Sequence, residues 1–261
     1  MKKLFSLLVI LLTFGCTDVD NLNTATQNPV DVYVAGQKNS NAAYWKNNQS
    51  YLLTGGDGGE ATKICVSNNN VHVLGKKTSD NWITEYLHWE NGNLTNLNTA
   101  FNTPGQHVHS ITDMEVVGND VYFVGYTKNP LIAAEIYELV YWKNGVKTVL
   151  DYNNVYPTVQ SKIKVVNNTV YIIGYSTSSF TFGHGIYINN VFQSNSIGTI
   201  LKHLSVKDNQ VYVYGRNTPT NTGFYKNMAT GVETTLTTIS SVEKLFFDNS
   251  NTYVTDGVNI F

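Results

Sequence analysis

Asp113 and Glu115, in the stretch TDMEVV, are the two acids best spaced for acid–base work. Residues two apart on an extended strand project to the same side, and glycoside hydrolysis needs two carboxylates facing one cleft. His107 and His109 repeat that spacing in QHVHS and would face one side as a metal pair does. A third ligand (His88, His184 or a carboxylate) would have to be supplied by folding. Asp57 and Glu60 in GGDGGE could hold a cation, but they lack the ligand spacing of an EF-hand, so a glycine-rich turn is the simpler reading. The sequence contains no Gly-x-Ser-x-Gly elbow, P-loop, dinucleotide fingerprint or Ser-x-Asp-x-Gly-x-x-Trp box. No catalytic residue, metal or cofactor is therefore assigned.

Aromatic side chains offer a second kind of chemistry, since their faces stack on sugars. Trp45, Trp89 and Trp142 recur at one place in a repeated phrase, a place held elsewhere by Ile188 and Tyr225. A recurring position that accepts isoleucine reads as packing. Trp82 has no counterpart in the repeat and is the better stacking candidate. Phe101, Tyr126, Phe180 and Phe182 lie in the same class of variable connection and complete the candidate ligand-binding set.

Positioning those residues falls to a repeat. VYVAG, VHVLG, VYFVG, VYIIG and VYVYG end at Gly36, Gly75, Gly125, Gly174 and Gly215, and TYVTD at 252–256 is a sixth copy. The intervals run from 39 to 50 residues, the range of propellers and related arrays. Each phrase follows a short apolar strand (KICVS, DMEVV, KIKVV, HLSVK, EKLFF) and an Asn-, Asp- or Gly-rich turn, which is hairpin chemistry. A third strand ends in motifs such as AAYWKNN, YLHWENG and LVYWKNG, and a fourth, NLTNLN or VKTVLDY, closes the unit. The expected fold is all-β: a propeller of four-stranded antiparallel blades, with about six repeat units. The first unit shows only its last three strands, and the last shows its first two. Three arrangements fit these ends: closure of five blades by the strand at 242–248, six units with an imperfect seam, or the front of a longer propeller.

Antiparallel order puts the short turns on one rim and the variable connections, 54–60, 99–110, 126–138 and 175–185, on the other. Function concentrates on variable loops carried by a rigid scaffold.

The chain opens MKKLFSLLVILLTFGC, two lysines and then an apolar run too short to span a bilayer comfortably. Gly15-Cys16 resembles the lipobox of bacterial lipoproteins, with Thr13 where that family usually has leucine and Leu12 one step away. The resemblance implies cleavage before Cys16 and its lipidation, which anchors the mature chain peripherally to an outer membrane or cell surface. An ordinary signal peptide and an uncleaved anchor are the alternatives. The expected organisation is a signal over 1–15, a polar tether over 16–30 and the propeller over 31–261. Loss of 1–15 removes Lys2 and Lys3 and moves the formal charge from -2 to -4. With no basic stripe, a nucleic-acid partner is excluded. Cys65 is then the one remaining thiol, read as a buried small hydrophobe.

From Val30 onward the repeats resemble propeller-repeat lipoproteins of Bacteroidota-like bacteria, with blades reading roughly VYVAGY…YWKNG. That resemblance implies a fold and little function. The sequence reading is a membrane-anchored, non-catalytic binding propeller for a glycan or protein ligand. The alternatives are a glycan-active hydrolase or lyase with acids at the channel, and a structural spacer.

Overall fold

The alternation of apolar and polar residues in each phrase dictates a half-buried strand. The computed structural model describes residues 31–78, 83–129, 131, 136–154, 160–176, 183–195, 198–248 and 250–260, and there the chain is all-β. Six antiparallel sheets follow one another along it, within the unit Val32–Phe261.

The first sheet has three strands, β1 (Tyr33–Lys38), β2 (Asn41–Lys46) and β3 (Gln49–Asp57). The second has β4 (Gly59–Ser67), β5 (Asn70–Thr78), β6 (Thr84–Glu90) and β7 (Asn93–Asn96), followed by the one-turn helix α1 (Leu97–Ala100). The third has β8 (His107–Val117), β9 (Asp120–Lys128), β10 (Tyr137–Lys143) and β11 (Val146–Asn154). The fourth has β12 (Lys162–Val166), β13 (Thr169–Ser176), β14 (Gly183–Ile188) and β15 (Val191–Ser194). The fifth has β16 (Thr199–Lys207), β17 (Gln210–Asn217), β18 (Thr222–Asn227) and β19 (Glu233–Leu236). The sixth has β20 (Lys244–Phe247) and β21 (Thr252–Thr255). The partial units expected at each end are thus the three-stranded and two-stranded sheets. Among the described residues β20 pairs with β21 and β1 with β2, so the strand expected at 242–248 does not complete the first sheet.

Asparagine holds the first four sheets together. The Asn47-Asn48, Asn91-Gly92, Asn144-Gly145 and Asn189-Asn190 turns have positive φ at both central positions, as tight hairpins matching strand twist require. The first asparagine of each also reaches the neighbouring strand. Its side-chain oxygen accepts from the backbone N–H of Val32, Val71, Val121 or Val170, at 2.8–3.0 Å. Its own N–H donates to the carbonyl of the same valine. The NG or NN of one phrase is thereby clamped to the Val of another.

Consecutive sheets share apolar layers. Trp89 packs with Ala42 and Leu53 of the first sheet, and Trp142 with Leu74, Leu97 and Phe101 of the second sheet and the helix after it. Tyr122, Tyr126 and Leu139 meet Ile163 and Ile172 of the fourth sheet. Further layers join Ile173 and Ile186 to Leu204 and Phe224, then Tyr214 to Val242 and Leu245. Register corrects one sequence alignment. Opposite the second apolar residue of each phrase stand Trp45, Trp89, Trp142, Tyr187 and Lys226, so Tyr187 and Lys226 hold the recurring position, not Ile188 and Tyr225. Tyr187 is buried, as Trp89 and Trp142 are, which makes this a packing position in the second, third and fourth sheets; Trp45 and Lys226 are partly exposed.

The phrase glycine does not end its strand, as the sequence suggested. Each strand continues two or three residues past Gly36, Gly75, Gly125, Gly174 or Gly215. Three of these glycines face a β-bulge, where the partner strand skips Thr62, Thr112 or Lys202. The bulge pushes a carbonyl into the space a side chain would need. A Cβ on Gly125 would lie 1.9 Å from the Ser110 oxygen, and one on Gly215 would lie 2.0 Å from that of Ile200. At Gly174 side chains take that space instead, Leu139 Cδ2 of the third sheet at 2.7 Å and the ring of Tyr187 at 3.0 Å.

Candidate functional site

The first strands of consecutive sheets lie side by side, and regular pairing outward from each short turn aligns their polar residues. Lys63, Asp113, Lys162 and His203 each pair with the residue just before a phrase glycine: Leu74, Val124, Ile173 and Tyr214. One repeat position in four successive sheets is therefore titratable, and these four side chains line a common cavity of about 620 Å³. Ser110, Thr112, Gln160, Lys76 and Tyr86 also contribute to its wall. Lys63, Asp113 and His203 lie near the middle of their strands, while Ser110, Gln160, Lys76 and Tyr86 lie toward the strand ends remote from the short turns at 68–69, 118–119 and 208–209. The cavity thus sits toward the end of the sheets where the variable connections run.

Its one acid among the described residues, Asp113, and the neighbouring Glu115 are both spoken for. The Lys63 ammonium lies 2.6 Å from Asp113 Oδ1 and 3.7 Å from Glu115 Oε2. Asp113 Oδ2 accepts from the backbone N–H of Ile163 at 3.0 Å. Lys164 donates to both oxygens of Glu115, at 2.9 and 2.8 Å. Three sheets are joined through this chain of charges, and the Asp113 side chain is only 2% exposed. Burial works against the Lys63 charge, but Asp113, Cys65 and Glu115 outweigh it and the net shift is upward. Asp113 and Glu115 do share a side, as their spacing required. Each faces lysine, which makes them structural counter-ions rather than a free acid pair.

Lys162 differs from the other cations of the wall. Lys63 is paired with Asp113, and Lys76 lies 3.2 Å from Glu60. Among the described residues the Lys162 ammonium has no hydrogen-bond or ion-pair partner. Beside it, burial pushes the His203 imidazole below its usual range, with the Leu204 backbone and Asp113 working in the opposite direction. His203 Nδ1 lies 2.9 Å from the Leu204 carbonyl and 2.8 Å from the Leu204 N–H, so the tautomer decides whether it donates or accepts there, and Nε2 is left uncommitted. The Ser110 hydroxyl oxygen is buried without a hydrogen-bond partner among the described residues.

The other candidates fall elsewhere. Tyr126 is fully buried, with its hydroxyl 3.2 Å from Ser161 Oγ, and burial pushes its phenol up to about 12. Phe101 follows α1 and stacks on Trp142 at 4.7 Å, 8% exposed. Both rings serve the layers between sheets and present no face to a ligand, contrary to their expected place on the rim. Trp82, Phe180, Phe182 and Cys16 lie outside the described residues. GGDGGE is not a loop but two strands meeting at Gly58, with Glu60 held by Lys76. Cys65 lies 3.9 Å from the Met114 carbonyl, and burial pushes its thiol up to about 11, as suits a packed, protonated side chain.

The histidines do not converge. His107 pairs with Asn102 Oδ1 at 2.8 Å, His109 rests on the Tyr137 ring at 4.5 Å, and His184 stands edge-on to Tyr175. His88 is stacked against His72, with Nδ1 of His72 3.2 Å from Nε2 of His88. Glu90 lies 3.9 Å from His72, and Phe123 closes the other side of His88. Burial, then the His72 charge, pushes His88 down to about 4. An unfolded chain takes up this proton near pH 6.5, and the folded one refuses it until about 4. Stability is therefore complete above pH 6.5 and lost as pH falls through that window. At pH 5.5 the loss from His88 should be on the order of 1 kcal/mol. Urea midpoints at pH 7.5 and 5.5 should differ accordingly, and less so in His88→Phe; an unaltered pH difference in that variant would refute the assignment.

The sequence reading missed Lys162, His203 and Ser110. The signal was present in the aligned first strands KICVS, DMEVV, KIKVV and HLSVK, where a titratable residue stands at the same place in four units. Compared with protein-family models and with curated proteins, the chain matches none.

Proposed function

We propose that this chain is a β-propeller of about six units, exported and lipid-anchored through Cys16 to a bacterial outer membrane or cell surface. There it acts as a non-catalytic binding module for a glycan or protein ligand. The observation that carries the reading is the occupation of both inner-strand acids by lysine. Asp113 and Glu115 are held by Lys63 and Lys164, so neither is free to act as acid, base or nucleophile. The propeller is supported by the six consecutive antiparallel sheets with their first strands side by side. Radial repetition of such sheets leaves only short edges exposed.

Glycan-array binding by the wild type, weakened in Trp82→Ala, is the expected result for a rim ligand. Binding by neither protein, together with release of sugars from any arrayed glycan, would overturn the binding-module reading. For the anchor, Cys16→Ala should move the protein from the membrane to the soluble fraction. Membrane retention of that variant would refute lipidation at this residue.

A further inference from the structure

We infer that the cavity between the first strands is a binding site for a small carboxylate-bearing sugar, of the uronic-acid class, seated with its carboxylate on Lys162. The inference rests on the binding-module reading and names a ligand class and a place for it.

Charge selects an anion. The ionised groups of the wall are Lys63, Lys76, Lys162 and Asp113. Asp113 is matched by Lys63 and by the Ile163 N–H, so its charge is not left to repel an incoming carboxylate. Lys76 is matched by Glu60 at the mouth. Lys162 remains, a cation with no partner among the described residues, in a recess where a charge-assisted hydrogen bond is screened less than at an open surface. His203, kept neutral by burial, adds no competing positive centre and offers Nε2 as a hydrogen-bonding group.

Polarity and size select a sugar over an apolar acid. Ser110 Oγ is buried and without a partner among the described residues, which costs free energy, and a turn of this side chain toward the cavity it lines lets a ligand hydroxyl satisfy it. Gln160 supplies both a donor and an acceptor at the same wall, and it too makes no hydrogen bond among the described residues. Tyr86 adds an aromatic ring. The volume of about 620 Å³ falls in the range of small-molecule sites and is ample for one or two sugar rings.

Titration calorimetry of the full chain at low salt, with sodium D-glucuronate as the probe and D-glucose and inorganic phosphate as comparisons, tests this. Glucuronate should bind, glucose should bind at least tenfold more weakly, and phosphate should not match glucuronate. Lys162→Gln should weaken glucuronate by about tenfold or more, the usual worth of a charge-assisted hydrogen bond. Ser110→Ala should weaken it severalfold. Both variants should melt near the wild-type temperature, since neither residue holds a partner in the fold. Equal binding of glucose, phosphate binding as tight as glucuronate, or full affinity in Lys162→Gln would each overturn the inference. So would no glucuronate binding by a wild-type protein that still binds an arrayed glycan, an outcome that would leave the binding-module reading standing.

Discussion

Asp113→Ala should lower the thermal midpoint by roughly 10 °C. Asp113 is a buried carboxylate that neutralises Lys63, itself in the same recess, and caps the Ile163 N–H of the next sheet. Removing it leaves a mostly buried ammonium with only Glu115 nearby at 3.7 Å, and Glu115 is already committed to Lys164. Breaking one side of a buried pair costs about 3–5 kcal/mol, and for a domain of this size each kcal/mol moves the midpoint by about 2–4 °C. The cost belongs to the stranded charge and not to the lost attraction. Lys63→Met combined with Asp113→Leu should therefore regain most of the stability. Differential scanning calorimetry on the two proteins separates the cases. A loss under about 1 kcal/mol in Asp113→Ala would mean that water screens the pair and that the three sheets are not tied through it.

Gly125→Ala should destabilise by about 3 kcal/mol, whereas Gly145→Ala should cost about 1 kcal/mol. The two glycines look alike in the sequence and differ in their surroundings. Gly145 sits in a tight turn at φ +82° with open space where a Cβ would go, so alanine there meets only backbone strain. Gly125 lies within β9, and its Cβ would overlap the Ser110 carbonyl at 1.9 Å and crowd Ile111 Cα at 3.0 Å. Those neighbours are backbone in a β-bulge, so they cannot yield as a flexible side chain would. Relief requires shifting the bulge, and with it Thr112, whose hydroxyl donates to the Ser161 carbonyl across to the fourth sheet. Equilibrium unfolding in urea should rank the two variants in that order. Equal costs would refute the bulge as the reason for the repeated glycine.

Hairpin register also links scaffold to site. Unbroken pairing from each short turn brings Lys63, Asp113, Lys162 and His203 to the same rung of their hairpins, and in three of the four the bulge begins at the next residue. A repeated phrase that reads as pure scaffold thus sets the geometry of the one polar recess described. The invariant part, VYVxG, packs and accommodates the bulge. The part that varies between units, the first residue of KICVS, DMEVV, KIKVV and HLSVK, supplies the chemistry.

By itself, the sequence determined the all-β class, the strand order within each unit, the partial units at both ends and the turn positions. Those properties follow from alternation of period two and from the tolerance of Asn, Asp and Gly for positive φ, and both are local. It also determined that Asp113 and Glu115 share a side. What those acids face was decided only in the tertiary structure, because Lys63 and Lys164 come from neighbouring sheets about fifty residues away in the chain. Burial was decided there too. Tyr126 and Phe101 follow the end of a phrase or a short helix, where nothing local separates a rim aromatic from one covered by the adjacent sheet. The same applies to the glycine, whose φ is unremarkable in the strand and whose necessity comes from a carbonyl on another strand. Contacts between repeats depend on how one unit is laid against the next, and a pattern read within one unit cannot contain that information.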